Sequence, residues 1–298
     1  PGVPVTPPTT RPPGRLVDAH CHLQSDRFAR DADLVVAAAR RAGVERILVP
    51  GWDRASAEAA LELVERHPWL DASAGVHPHD AARVGTADWS ALRRMARDPR
   101  VVAIGETGLD FDRRFSPVPD QLDNLRRNLR LALETGKPVI LHCRSSPGAS
   151  DAHDALVGEL VAAGFAASAA AAVFGERPAG VVHSFSGPPE FAARALELGL
   201  AVSFSGLVFR RGEEASVAAA RLVPADRLLV ETDSPFLAPP GAPRRRNEPE
   251  WVRVTAAWLA EVRGDDPDPL GAALVETYDR VFVRTGRPLP PPPNEGVA

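Results

Sequence analysis

The stretch VDAHCHL, residues 17–23, sets Asp18, His20 and His22 on alternate positions. In an extended chain, side chains two apart share a face. These three groups therefore project together while Cys21 points the other way. The run PVILHCRS repeats the arrangement, with His142 and Arg144 on one face and Cys143 on the other. Two acids follow apolar runs directly, Glu106 in VVAIGETGLD and Asp233 in LLVETDSP. Singly, each reads as a turn or cap; beside several imidazoles, a metal ligand is the better reading. Glu231 alternates with Asp233 and is placed behind it, and Asp18 is placed one pleat deeper than His20, neither as a primary ligand. Nitrogen and oxygen donors of this kind suit zinc, manganese, iron or magnesium. They exceed what one four-coordinate ion takes, so the expectation is two divalent ions bridged by Glu106. Such a pair brings the pKa of a bound water towards about 7 and clamps a phosphoryl or carbonyl oxygen. The chemistry is hydrolysis, with Asp233 able both to bind metal and to take the water's proton. A carboxylated lysine as the bridge is excluded, because Lys137 is the sole lysine and precedes its strand.

Eight aliphatic runs can hold these groups: 16–23, 44–51, 70–79, 101–110, 138–145, 179–187, 200–206 and 227–237. Helix-like stretches such as DADLVVAAARRAG and QLDNLRRNLRLALETG lie between them, each ending at a glycine, where helices commonly stop. This alternation predicts an α/β fold, a (β/α)8 TIM barrel, with a doubly wound open sheet as the second reading. No glycine-rich phosphate loop follows the first strand, which counts against the second reading. Barrel sites lie at the C-terminal ends of the strands. Six of the 8 histidines fall there, and only His67 and His153 lie on helical stretches. The barrel is expected over 15–286, with a disordered proline-rich arm at 1–14 and a similar tail at 287–298. The segment 146–178 is too long for one connecting helix and is expected to be a helical insertion.

The chain has 298 residues, of which 44% are hydrophobic and 25% charged, with a net charge of −4. No global positive field advertises a polyanion. No apolar run reaches the roughly 20 residues of a membrane span. Without an apolar leader and with only 2 cysteines, the expectation is a cytoplasmic monomer. Cys21 and Cys143 fall on opposite sides of the barrel, beyond the ~7 Å limit for a disulfide, and are expected to be free, buried thiols.

The motifs VDAHCHL, AGVHPH, IGETGLD, PVILHCR, VVHSFSG, SFSGLVFR, ETDSPFLAP and RRRNEP run in order along nearly the whole chain. Together they resemble the TatD-type metal-dependent deoxyribonucleases of the amidohydrolase-like barrel superfamily. The resemblance implies that His20, His22, Glu106, His142, His183 and Asp233 bind metal. It also implies 3′-to-5′ exonuclease action on DNA, with a role in repair or fragmentation. His77 and His79 then face the substrate without binding metal, and Arg144, Arg210 and Arg246 reach phosphates. Phe209 or Phe236 could stack on an end base, but a core or loop-packing role is the better reading of each. Three positions depart from the family pattern. Ser184 replaces a cysteine and is expected to face away from the site; Arg210 stands where lysine is common; and the longer 146–178 segment is a candidate lid. Two other functions compete. One is hydrolysis of an amide, lactone or ester on the same barrel, which the arginines disfavour. The other is a non-catalytic binding protein, which the complete ligand set disfavours.

Overall fold

Each aliphatic run becomes a parallel strand buried on both faces, as helices wrapped around a closed sheet require. The computed structural model describes residues 7–243 and 245–286. Its strands are β1 (Leu16–Asp18), β2 (Val44–Val49), β3 (Leu70–Ala74), β4 (Val101–Asp110), β5 (Val139–Arg144), β6 (Gly180–Val182), β7 (Leu200–Phe204) and β8 (Leu228–Val230). They pair in sequence order as one eight-stranded parallel sheet. The barrel closes past the formal ends of β1 and β8. Ala19 N donates to Val230 O at 3.0 Å, Asp233 N to His20 O at 2.9 Å, and His22 N to Ser234 O at 2.7 Å. The fold is thus a TIM barrel, as the alternation implied.

The outer helices are α1 (Ala32–Arg41), α2 (Arg54–Arg66), α3 (Thr86–Met95), α4 (Val118–Thr135), α5 (Asp151–Ala162), α6 (Ala167–Phe174), α7 (Pro189–Glu197), α8 (Glu214–Leu222), α9 (Val252–Arg263) and α10 (Pro267–Val281). Helical spacing buries one stripe of each, for example Leu125, Leu129 and Ala132 of α4. Gly136 ends α4 and Gly264 ends α9, both in the left-handed region (φ 65° and 72°) that glycine enters without steric cost.

The 146–178 segment is helical, as expected, but it is not a lid. Helix α5 runs from the mouth down the barrel wall, so α6 begins at the opposite end. There Arg177 donates to Gly136 O at 2.6 Å, just before β5 begins, and Phe165 packs on Phe174. Only the short turn before α5 reaches the mouth. The arm also differs from expectation in its described part. Residues 7–14 carry no helix or strand, yet Thr9 N and Thr10 N donate to Glu261 Oε2 at 2.6 and 3.0 Å. Arg11 also pairs with Asp268 at 2.7 Å. Residues 1–6 and the tail at 287–298 lie outside the described residues. Cys21 and Cys143 are both free. Cys21 is buried, but Cys143 is only half-buried, because β5 ends in the wall of the mouth. No helix among the described residues is long and apolar enough to cross a membrane.

Candidate metal centre

Glu106 lies in the middle of the ten-residue β4 and is 3% exposed. The glycines around it let neighbouring strands come close. A Cβ on Gly105 would lie 2.7 Å from Ile140 O, and one on Gly108 would collide with His142 O. Its two carboxylate oxygens face different sets of imidazoles. Oε2 lies 3.2 Å from His20 Nε2 and 3.8 Å from His22 Nε2. Oε1 lies 2.8 Å from His183 Nε2, 3.3 Å from His142 Nδ1 and 3.1 Å from His77 Nε2. Burial alone would raise the Glu106 pKa, but His77, His183 and His20 outweigh it and hold the carboxyl well below its ordinary range.

His20 and His22 come from the closing seam. Past Asp18 the chain stays extended, with Cys21 N bonded to Leu48 O at 2.9 Å on one side and the bonds to β8 on the other. Asp18 stabilises this seam from below. Its carboxylate accepts from Thr232 N at 2.9 Å, Thr232 Oγ1 at 2.6 Å and His20 N at 3.3 Å. Asp233 follows β8 with φ 53° and places Oδ1 3.3 Å from His22 Nε2. Burial works against its charge, but His22 and His20 lower its pKa.

These donors suit a divalent cation. His20 Nε2 and His22 Nε2 face each other at 3.3 Å, and neither ring's Nδ1 has a hydrogen-bond partner among the described residues. With protons on Nδ1, two lone pairs converge with Glu106 and Asp233, an arrangement that repels itself unless a cation lies between. The donor atoms of His20, His22 and Glu106 lie within 4.8 Å of one another, as do those of His20, His183 and Asp233.

The other imidazoles are oriented by carboxylates. His183 Nδ1 lies 3.1 Å from Glu231 Oε1, and against burial the carboxylates of Glu106 and Glu231 raise the ring's pKa well above its ordinary value; Nδ1 keeps its proton on Glu231, and Nε2 would offer a lone pair once a cation displaced its own. His142 turns Nε2 to Asp110 Oδ2 at 3.3 Å and Nδ1 to Glu106. Asp110 also lies 2.8 Å from His79 Nε2 and 3.6 Å from Arg144, and accepts from Arg113 N at 2.8 Å. Against burial, His142 and His79 pull its pKa down.

His77 behaves differently. Its donor atom lies within 4.8 Å of those of Glu106 and His142. However, its Nδ1 accepts the His79 backbone N–H at 3.1 Å. A neutral ring accepting at Nδ1 carries its proton on Nε2, and burial lowers its pKa to about 4, keeping the ring neutral. Nε2 therefore donates to Glu106 and has no lone pair for a metal.

His22, His77, Glu106, His142, His183 and Asp233 open into one cavity of about 830 Å³ at the C-terminal ends of the strands, with His20, Asp110 and Glu231 buried behind them. Arg144 lines it, whereas Arg210 and Arg246 do not. Arg210 is exposed on the loop after β7. Arg246, expected to contact substrate, is engaged within the chain. Its guanidinium pairs with Asp31 at 2.8 Å and Glu248 at 2.6 Å and lies 4.9 Å from the Phe28 ring centroid, fastening the β8 loop to α1. Ser184, expected to face away, lies in the cavity wall and shares a 2.6 Å hydrogen bond with Ser205. Phe209 is buried against Trp258, while Phe236 lines the mouth. Sequence reasoning passed over Asp110, although it lies four residues from Glu106 on the same strand and so on the same face. It also passed over Trp52, Phe115 and Glu213, loop residues of the cavity wall that no spacing marks out.

The family model for TatD related DNase matches residues 17–283. The chain belongs to the TatD related DNase family. The 3′-5′ ssDNA/RNA exonuclease TatD of Erwinia billingiae is 38% identical over 274 residues, covering 90% of this chain and 98% of that relative. An uncharacterized metal-dependent hydrolase of Bacillus subtilis, YabD, is 32% identical over 267 residues, covering 90% and 98%. Among solved structures, YJJV, a TatD homolog from Escherichia coli K12, superposes with TM-score 0.78 at 29% identity, covering 90% of this chain and 98% of that one. A TatD family hydrolase from Entamoeba histolytica, 20% identical with TM-score 0.79, shares the fold. As a TatD family member the chain is a metal-dependent hydrolase of ester bonds.

Proposed function

We propose that this TatD family enzyme hydrolyses DNA phosphodiester bonds from the 3′ end, with two divalent ions of zinc, magnesium or manganese as cofactors. His20, His22, Glu106 and Asp233 would hold one ion, and Glu106, His142 and His183 the other. The observation that carries this reading is the split of Glu106, with Oε2 towards the β1 histidines and Oε1 towards His142 and His183. When bound, such ions supply an acidified water and neutralise charge on a phosphoryl group.

The chain's own groups account for the rest. Asp233, charged and 15% exposed at the cavity floor, accepts the water's proton at a carboxylate oxygen. Glu231 and Asp110 keep the lone pairs of His183 and His142 turned inward. His77, held as the Nε2–H tautomer in the cavity wall, donates to Glu106 and orients it. Arg144 in the wall and exposed Arg210 beyond it draw the phosphate backbone towards an otherwise acidic protein.

The test is nucleotide release from 3′-labelled DNA by protein of measured metal content, beside ester and amide substrates, with His20→Ala and Asp233→Asn as controls. Metal-dependent release from DNA, lost in both variants, is expected. Intact DNA alongside ester or amide cleavage would overturn the substrate, and protein that binds no metal would overturn the mechanism.

A further inference from the structure

Among the described residues, seven large apolar side chains are exposed: Leu34, Phe115, Val161, Val173, Leu222, Phe236 and Val283. Two are aromatic, and both line the catalytic cavity; none of the five aliphatic ones does. Phe115 is 63% and Phe236 51% exposed. An exposed phenyl ring gains nothing from water, so its place in a cleft points to a partner that covers it there.

The two rings stand on opposite sides of Glu106. Phe236 lies 6.0 Å from His22, on the Oε2 side, and its backbone N–H donates to Asp233 O at 2.8 Å. Arg27 approaches this ring, its guanidinium carbon 5.9 Å from the centroid. Phe115 stands edge to face with His79 at 4.7 Å, on the side of Asp110 and His142. Its loop is pinned there by Ser116 Oγ, which donates to His79 O at 2.8 Å. Each ring is therefore positioned by chain that also positions a site group.

We infer that Phe115 and Phe236 are base-stacking platforms, one on either side of the scissile phosphate. This rests on the phosphodiesterase reading above. Flat π-faces beside a phosphate site suit nucleobases of any sequence, because every base has a face to stack. Bases inside a duplex have both faces occupied, so the platforms select unpaired ends without reading sequence. Phe236 and Phe115 are then specificity-determining residues, with no part in proton transfer.

The test uses Phe115→Leu and Phe236→Leu, which keep an apolar side chain and remove the flat face, and Phe→Trp at each position. Substrates are a single-stranded oligonucleotide and the same strand made abasic at its last or next-to-last position. Each Leu variant is expected to lose roughly tenfold in kcat/KM on the normal strand, mostly through KM. That loss should vanish on the substrate lacking the base its ring holds, and Trp should restore activity. Unchanged melting temperatures would show the fold is intact, as the rings' exposure implies. Leu variants as active as the parent, or losing the same factor on both abasic strands, would overturn the inference alone. A parent enzyme that degrades no oligonucleotide would overturn the phosphodiesterase reading and this inference with it.

Discussion

His20 and His22 on the seam of the barrel, and His142 and His183 across from them, face one carboxylate from two sides but are held by different means. Behind His142 stands Asp110 and behind His183 stands Glu231, so a hydrogen bond sets each ring's tautomer and tilt. Behind His20 and His22 no group receives Nδ1. Their placement comes from the backbone: two three-residue strands continued by Ala19, His22 and Asp233 bonds across the seam, with Asp18 bound to Thr232 beneath. On the far side Glu106 and His142 sit within the longer β4 and β5, while His183 follows β6, itself only three residues long, and relies on Glu231 for its ring orientation. One half of the centre therefore depends on the integrity of the fold, and the other on the chemistry of two carboxylates. Damage to the first should appear as lost stability; damage to the second should appear as lost metal and activity in a stable protein.

Asp18→Ala should have the largest effect. It leaves the buried Thr232 N–H and hydroxyl without their acceptor, at about 3 kcal/mol. Urea unfolding of the metal-free variant measures this, and full stability would remove the distinction between the halves. Asp110→Asn should come next, in the opposite currency of the comparison. An amide N–H facing His142 Nε2 forces that nitrogen to accept, which moves the ring proton to Nδ1 and away from productive binding at Glu106. Metal affinity and activity should fall about 10- to 100-fold, with stability within about 1 kcal/mol of the parent. Metal titration beside unfolding tests both numbers. Glu231→Gln is milder, because an amide oxygen can still accept from His183 Nδ1. A loss of roughly tenfold in metal affinity is expected, and an unaffected variant would leave the orientation of His183 to packing alone.

The same division explains what the sequence could disclose. The eight aliphatic runs and their intervening helices carry the barrel in their periodicity, and parity alone places Asp18, His20 and His22 on one face. The runs overstate the strands, however: β8 stops at Val230 and β1 at Asp18, so the residues that gather lie just past the ladder. Their extended course there depends on partners over 200 positions away, as Asp233 N on His20 O shows. The arginine run near 246 shows charge without showing partners. Asp31, which engages Arg246, lies 215 residues earlier, and nothing local announces it. Arg244 of that run lies outside the described residues. The insertion's length was legible, but its end of the barrel followed only from where α5 finishes. Asp110 was within reach of the same parity argument that placed Glu106, whereas Phe115 on its loop was not.

The smallest effect separates the halves by pH. Asp18 and Asp110 are both fully buried, yet their pKa values move in opposite directions. For Asp18, burial dominates over the neutral Thr232 and His20 donors and raises it well above 3.8. For Asp110, the imidazoles of His142 and His79 outweigh burial and lower it. A carboxyl whose folded pKa is raised binds its proton more tightly folded than unfolded. Its contribution is then complete below the unfolded value and lost as pH rises through the folded one. Asp110 has the reverse sign, losing its contribution only in strong acid, below the unfolded value. In chelator-treated protein, Asp18→Asn should therefore gain stability relative to the parent as pH rises above about 4. Its neutral amide can still accept from Thr232 N and turn its N–H to the Thr232 hydroxyl. Over the same range Asp110→Asn should run parallel to the parent, because Asp110 is ionised in both folded and unfolded chains. Melting curves from about pH 4 to 8 distinguish the two slopes. Parallel curves for Asp18→Asn would mean that the seam holds a charged carboxylate after all, and that both halves of the centre rest on ionised acids.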